Sequence, residues 1–304
     1  MSAEKPGQRV GLIGWPVTHS VSPAMFNAAF AALEMDWRYE AFPVPPQELE
    51  HTLDCLREQG VRGLNVTVPH KQAVIPLLDT VQPEAKAVGA VNTITLANDG
   101  TARLHGTNTD IVGFLKDLTD HMTAPAREGA QALVLGAGGA ARAAAYVLAR
   151  LGYATHIACR NTTRGLELIR DIQAGMATNS AHLPQQSETT QWRMQMRTIP
   201  WERIGFVAGE VSLIVNCTPV GMWPDVNQTP WPAETPIPAH AVVYDMVYRP
   251  LETRFLQQAR AAGCQVISGL GMLVWQGAAS FRLWTGREAP LDVMLDAAQQ
   301  ALAT

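Results

Sequence analysis

Charge is what this sequence has least of. Of its 304 residues, 16% are Asp, Glu, Lys or Arg, against roughly 25% in an ordinary soluble protein. Lys and Arg number 23 and Asp and Glu 27, a net charge of −4. There is no basic surplus to neutralise phosphates, so nucleic acid is not an expected partner. Long apolar runs are missing too. None reaches the ~18–20 residues of a membrane span; the longest candidate, Ala130–Ala149, is broken by glycines and Arg142. No membrane association is expected, and Met1–Gly14 lacks the basic-then-apolar layout of a signal peptide. Cysteine is sparse. Cys55, Cys159, Cys217 and Cys264 are far apart and form no CxxC, which suits reduced thiols of a cytoplasmic protein and not a disulfide frame or zinc site. No pair of histidines has metal-ligand spacing, and no metal is expected. Charge this scarce leaves two readings: large buried cores, or clefts lined by neutral polar groups.

Apolar residues make up 47% of the chain, and at about 150 residues per domain its length suggests two domains. Arg9–Gly14 reads as a buried strand, and Ser22-Pro23 as a helix start with Ser22 as the cap. Trp37–Val44 and Leu64–Val68 read as strands, and Gln47–Gln59 as a helix stopped by Gly60. Val91–Leu104 reads as a hairpin turning at Asn98-Asp99-Gly100. Ile111–Met122 reads as a helix and Thr123–Gly129 as a linker. Beyond it, strand signals at Ala132–Leu135, Thr155–Ala158, Leu213–Val215, Val242–Met246 and Gln265–Ile267 alternate with helix signals at Ala140–Leu151, Thr162–Ile172 and Leu251–Ala262. That alternation predicts an α/β fold with a parallel sheet covered by helices. Helices over Leu270–Trp284 and Leu291–Ala303 end the chain. Ala174–Thr198, polar and without period, reads as an insertion or mobile loop.

Gly136-Ala137-Gly138-Gly139-Ala140-Ala141 follows an apolar strand and opens an Ala-rich helix. Gly136 permits a tight turn and Gly138 a close backbone approach to a pyrophosphate. Small residues at Gly139 and Ala141 let the helix sit near its strand, with free N–H groups for the phosphates, and Gly136–Ala140 are the candidate cofactor-binding residues of this turn. The alternative is a tight turn without a ligand. Some 20 residues on, a site for NAD would carry an acid for the ribose 2′-hydroxyl. The sequence there is Cys159-Arg160-Asn161-Thr162-Thr163-Arg164, with no acid and two arginines. Guanidinium groups clamp a 2′-phosphate, so the cofactor expected is NADP. The plainer reading makes Arg160 and Arg164 surface residues at a helix start.

Neutral donors cluster in His19–Pro23, Gly63–Lys71, Gly89–Thr93 and Gly106–Asp110. Taken singly, such residues commonly cap helices and shape turns. Together they suit a small polyhydroxylated acid, and the residues alone point to an NADP enzyme of a small polar substrate.

Gly14–Pro23 (GWPVTHSVSP), Asn65–Lys71 (NVTVPHK), Gly89–Thr93 (GAVNT) and Asn108-Thr109-Asp110 resemble the motifs of the shikimate dehydrogenase family. So do Gly136–Ala141, Asn216–Met222 (NCTPVGM), Tyr244–Tyr248 (YDMVY) and Gly269–Gln276 (GLGMLVWQ). They run in family order over nearly the whole chain. The resemblance implies NADP-linked interconversion of 3-dehydroshikimate and shikimate in chorismate and aromatic amino acid biosynthesis. It makes Lys71 and Asp110 the catalytic pair and gives the substrate carboxylate to Ser20 and Ser22. The ring hydroxyls go to Asn65, Thr67, Asn92, Asp110 and Gln276. Met246 and Gly269 fall at the cofactor, and Tyr248 and Gly271 near substrate and nicotinamide. His19 and His70 are expected to be structural.

The implied division is a substrate domain of residues 1–110 and 271–304 and a Rossmann-type NADP domain of residues 111–270. The active site is expected in the cleft between them, in a monomer or homodimer. Phe26, Cys159 and Ser268 depart from the family's usual His, Asn and Asp. These departures leave quinate and an aminated shikimate open as substrates. A non-catalytic module sensing shikimate-like ligands or NADP is the alternative of another class.

Overall fold

The computed structural model describes residues 7–97, 99–122, 129–179 and 195–303. The expected turn residue Asn98, residues 123–128 of the expected linker and residues 180–194 of the expected insertion lie outside them. In chain order the elements are β1 (Gln8–Gly14), α1 (Ser22–Ala32), β2 (Trp37–Pro43), α2 (Leu49–Glu58), β3 (Gly63–Val66), α3 (His70–Ala73), β4 (Thr80–Val81), α4 (Pro83–Val88), β5 (Thr93–Leu96), β6 (Leu104–Thr107) and α5 (Asp110–His121). There follow β7 (Gln131–Leu135), α6 (Gly139–Leu151), β8 (Ala154–Cys159), α7 (Thr162–Asn179), β9 (Met196–Pro200), α8 (Ile204–Val207), β10 (Leu213–Asn216), β11 (Val242–Asp245), α9 (Arg254–Ala261), β12 (Gln265–Ser268), α10 (Leu270–Thr285) and α11 (Leu291–Ala303).

The chain divides into two compact units. The first holds Met1–Lys86, Ala90–Val112 and Val274–Thr304; the second holds Ala87–Gly89 and Gly113–Leu273. The first unit carries a sheet of order β2-β1-β3-β5-β6-β4. β1 runs parallel to β2 and β3, while β5 is antiparallel to both β3 and β6. This sheet is mixed because β5 and β6 are joined by a short connection, which only antiparallel neighbours permit. One core of the unit gathers Ile13, Leu53, Leu56, Leu64, Val91, Ile94 and Leu104. A second, aromatic cluster contains Phe26, which stacks on Tyr39 with ring centroids 4.3 Å apart, and Phe281, which stacks on Phe30 at 5.2 Å.

The sheet of the second unit has the order β12-β11-β10-β7-β8-β9, with every neighbouring pair parallel. The strand order reverses between β7 and β10, the topological switch point at which doubly wound sheets bind ligands. Leu133, Leu135, Ile214, Val243 and Phe255 fill its core. In α6, every residue from Ala141 to Ala149 is buried, because the run of alanines lets the helix lie close to the sheet.

Three local expectations are corrected. Val21, not Ser22, is the cap of α1, with no side-chain capping bond; beside it, Ser20 Oγ accepts from the Ser22 N–H at 3.2 Å. α9 begins at Arg254, not Leu251, because Thr253 caps it by accepting from the Leu256 N–H at 3.2 Å. The two ends of the expected insertion are regular structure. α7 runs on to Asn179, and Met196–Pro200 forms β9 on the edge of the second sheet.

Candidate active site

β1 and β3 are parallel neighbours, so their C-terminal ends emerge at one edge of the first sheet. The loop after β1 carries Ser20 and leads into α1, which opens with Ser22; the loop after β3 carries Thr67 and leads into α3 with Lys71. The two loops are tied by backbone bonds from Thr67 N to Ile13 O and from Trp15 N to Val68 O, both 2.9 Å. Ser22 is buried, while Ser20 and Thr67 are half-buried. His70 is buried with Nε2 2.7 Å from the Val44 carbonyl. His19 is exposed.

Lys71 Nζ donates to Asp110 Oδ2 at 2.5 Å, with the two side chains 15% and 6% exposed. Asp110 opens α5, where the helix dipole favours a carboxylate. α3 is held in place by the Val91 N–H, which donates to the Lys71 carbonyl at 2.7 Å. Asn92 Nδ2 donates to Asp110 Oδ1 at 2.8 Å and lies 3.4 Å from Gln276 Oε1 on α10. Asn65 is buried deeper. Its Oδ1 accepts from the Tyr39 hydroxyl at 2.9 Å, and its Nδ2 faces Ser280 Oγ, Thr93 Oγ1 and the Asn92 carbonyl at 2.9, 3.1 and 3.4 Å. One hydrogen-bonded network thus joins Lys71, Asp110, Asn92, Gln276 and Asn65. Phe26, where the family usually has histidine, stacks on the Tyr39 ring whose hydroxyl orients Asn65.

In the second unit the expected cofactor residues stand at C-terminal strand ends. Gly136 follows β7, Arg160 follows β8, Met246 follows β11 and Gly269 follows β12. Gly136 has φ +109°, a conformation glycine alone adopts without strain. A Cβ at Gly138 would meet nothing within 4 Å. That backbone therefore borders open space at the N-terminus of α6, whose first turn carries no acid. Ala137, Gly139 and Ala140 are half-buried. Arg160 and Arg164 are exposed around the start of α7. Free helix N–H groups, an open glycine and two guanidiniums without a nearby acid in the loop form a donor set that fits a phosphorylated dinucleotide. Cys159 is buried, and burial pushes its thiol pKa up.

Gly269 is required by packing, since a Cβ there would lie 2.3 Å from the Met246 carbonyl. Tyr248, half-buried, belongs to this second unit and not to the unit of Lys71.

Several residues here escaped the sequence reading. Asp245 ends β11 with no solvent exposure. Its Oδ1 accepts from Asn216 Nδ2 at 2.8 Å and the Val247 N–H at 3.0 Å, and its Oδ2 from the Thr253 hydroxyl at 2.6 Å. Asp245 thereby ties together the loops after β10 and β11 that carry Thr218 and Met246. Asp117 accepts from the Tyr244 hydroxyl, and burial raises the pKa of both. Asp245 and Tyr244 belong to the YDMVY motif, the one signal that marked them. Among the described residues, no group of three or more His, Cys, Asp and Glu is placed to hold a metal.

Residues 12–94 match the model of the shikimate dehydrogenase substrate binding domain, and residues 269–299 that of the shikimate 5′-dehydrogenase C-terminal domain. The chain is 46% identical to the NADP(+) shikimate dehydrogenase of Symbiobacterium thermophilum, over 98% of this chain and 95% of that one. It is 47% identical to that of Moorella thermoacetica, over 94% and 90%. Its structure resembles that of the shikimate 5-dehydrogenase from Thermus thermophilus in complex with NADP(H) and shikimate. The TM-score is 0.80 at 39% identity, covering 97% of this chain and 99% of that one. Motifs, fold and relatives agree: the chain belongs to the shikimate dehydrogenase family.

Proposed function

We propose that the protein catalyses the reversible NADP-linked reduction of 3-dehydroshikimate to shikimate. The observation that carries this is the Lys71–Asp110 contact of 2.5 Å, set among neutral amides and hydroxyls at a strand-end site. NADPH, when bound, supplies the hydride that reaches the carbonyl carbon. Lys71, as an ammonium, polarises the carbonyl and gives its proton to the oxygen as the alcohol forms. Asp110 stabilises the ammonium and orients it. In the oxidising direction Lys71 takes that proton back.

In this reading Ser20 and Ser22 hold the substrate carboxylate, Thr67, Asn92, Asp110 and Gln276 hold the ring hydroxyls, and Tyr248 is a further substrate-binding residue. Asn65, whose two Nδ2 protons already face three acceptors, offers a bond to substrate only by giving up one of them. Gly136–Ala140 hold the pyrophosphate, Arg160 and Arg164 the 2′-phosphate, and Met246 and Gly269 also border the cofactor. Residues 1–110 with 271–304 form the substrate domain and residues 111–270 the NADP domain. The protein works as a monomer or homodimer in the cytoplasm, which the four free cysteines support.

Steady-state turnover of shikimate and quinate, each with NADP⁺ and NAD⁺, tests the proposal. The highest kcat/KM is expected for shikimate with NADP⁺. Lys71→Met is expected to cut kcat by at least about a hundredfold with a much smaller change in KM. Wild-type protein that turns over no shikimate at any pH sinks the proposal.

A further inference from the structure

Two hydroxyls outside the implied site meet at the centre of its network. Thr93 opens β5 next to Asn92, and Ser280 lies on α10 one turn beyond Gln276; both are 0% exposed. Their oxygens are 2.9 Å apart. Each also stands within hydrogen-bond distance of Asn65 Nδ2 (3.1 Å from Thr93, 2.9 Å from Ser280) and of Thr109 Oγ1 (3.0 and 3.1 Å). Thr93 donates to Asn92 Oδ1 at 3.1 Å, and Ser280 to the Gln276 carbonyl at 3.0 Å.

Donor counting fixes the direction of this network. The backbone N–H of Thr109 can only donate, and it lies 2.6 Å from one end of the Asn92 amide. That end is therefore the oxygen. The other end, Nδ2, faces Asp110 Oδ1 at 2.8 Å and can only donate. Oδ1 of Asp110 must accept. The other oxygen, Oδ2, is the one in contact with Lys71.

We propose that Thr93 and Ser280 are positioning residues of the reaction. The Thr93 hydroxyl accepts from Asn65 Nδ2, whose other proton goes to Ser280 Oγ, and adds its own donor to the Thr109 N–H on Asn92 Oδ1, so that the amide stays with Nδ2 on Asp110 Oδ1 while Oδ2 faces Lys71. This rests on the roles given to Lys71 and Asp110 above.

Thr93→Val removes the hydroxyl and keeps the shape, and Asn65 keeps Ser280 as an acceptor. Two readouts are compared with wild type: hydrogen exchange of the Asn92 side-chain amide by NMR in the ligand-free protein, and steady-state kinetics. Exchange about tenfold faster is expected, with kcat down about tenfold and the KM for shikimate within about twofold. Thr93→Ser, which retains the oxygen, should restore both. Unchanged exchange overturns the proposal, as does a lower Tm with kcat retained, or a rise in KM alone. Should Thr93→Val not fold, Ser280→Ala deletes less and faces the same readouts. Wild-type protein without shikimate turnover would refute the functional reading, while the exchange measurement still decides whether Thr93 pins Asn92.

Discussion

Asp245 shows what one buried carboxyl costs and does. Burial pushes its pKa up from 3.8 to about 6, partly offset by the Thr253, Val247 and Asn216 donors. Below about pH 4 it is protonated in both folded and unfolded chains. Between there and about 6 the folded state keeps the proton that the unfolded chain has lost. The stability this contributes is therefore lost as pH rises through about 6, an amount on the order of 3 kcal/mol. Asp245→Asn should abolish that loss while keeping an acceptor for Asn216 and the Val247 N–H. In denaturant unfolding at pH 5 and pH 7.5, the variant should gain on wild type as pH rises; a difference independent of pH contradicts the account. The retained cost fits a residue that holds two strand-end loops beside the cofactor site. Its sequence neighbours gave no hint of this, because its partners Asn216 and Thr253 stand on other elements.

The β7–α6 unit was legible at the scale of the element, since strand, glycine turn and alanine helix lie within some twenty consecutive residues. Its two glycines do different work and should fail differently. Gly136 has φ +109°, and a Cβ there would lie 3.1 Å from Thr218 Cγ2. Gly136→Ala should lower stability by about 1–3 kcal/mol through backbone strain. Gly138 has φ −84° and ψ −173°, extended backbone open to any residue, and its Cβ would meet nothing. Gly138→Ala should leave the Tm near wild type yet raise the Kd for NADP⁺ about tenfold or more, since the methyl would occupy the space proposed for phosphate. Titration calorimetry with thermal melts separates the two, and a Gly138→Ala protein that binds NADP⁺ normally removes the phosphate role from this turn. The start of α9 was misread because Leu251 looks helical by pattern, and Ser22, expected to cap α1, is instead its first residue. Which residue caps depends on where backbone and side-chain oxygens land: Val21 caps α1 with no side-chain bond, and Thr253 Oγ1 caps α9.

For the whole molecule, the scarcity of charge has two causes in view. Both sheets are lined by apolar cores, and the candidate substrate site is built from neutral amides and hydroxyls around one ion pair. Ligands that bind only the folded chain should raise its melting temperature. NADP⁺ at a hundredfold over its Kd stabilises by about 2.7 kcal/mol. At equal concentration NAD⁺ should shift the melt less, and Arg160→Gln should narrow the difference; equal shifts for both dinucleotides in wild type would count against the 2′-phosphate clamp. The sequence by itself determined what depends on near neighbours: strand and helix periods, the glycine turn, the absence of an acid after β8, and the order of the family motifs. The tertiary structure alone decided which polar atoms meet. Asn65 and Ser280 are 215 positions apart, and Thr93 and Ser280 are 187 apart. No local pattern encodes such pairs, because a buried hydroxyl takes its partners from whichever elements the packing of the core brings against it.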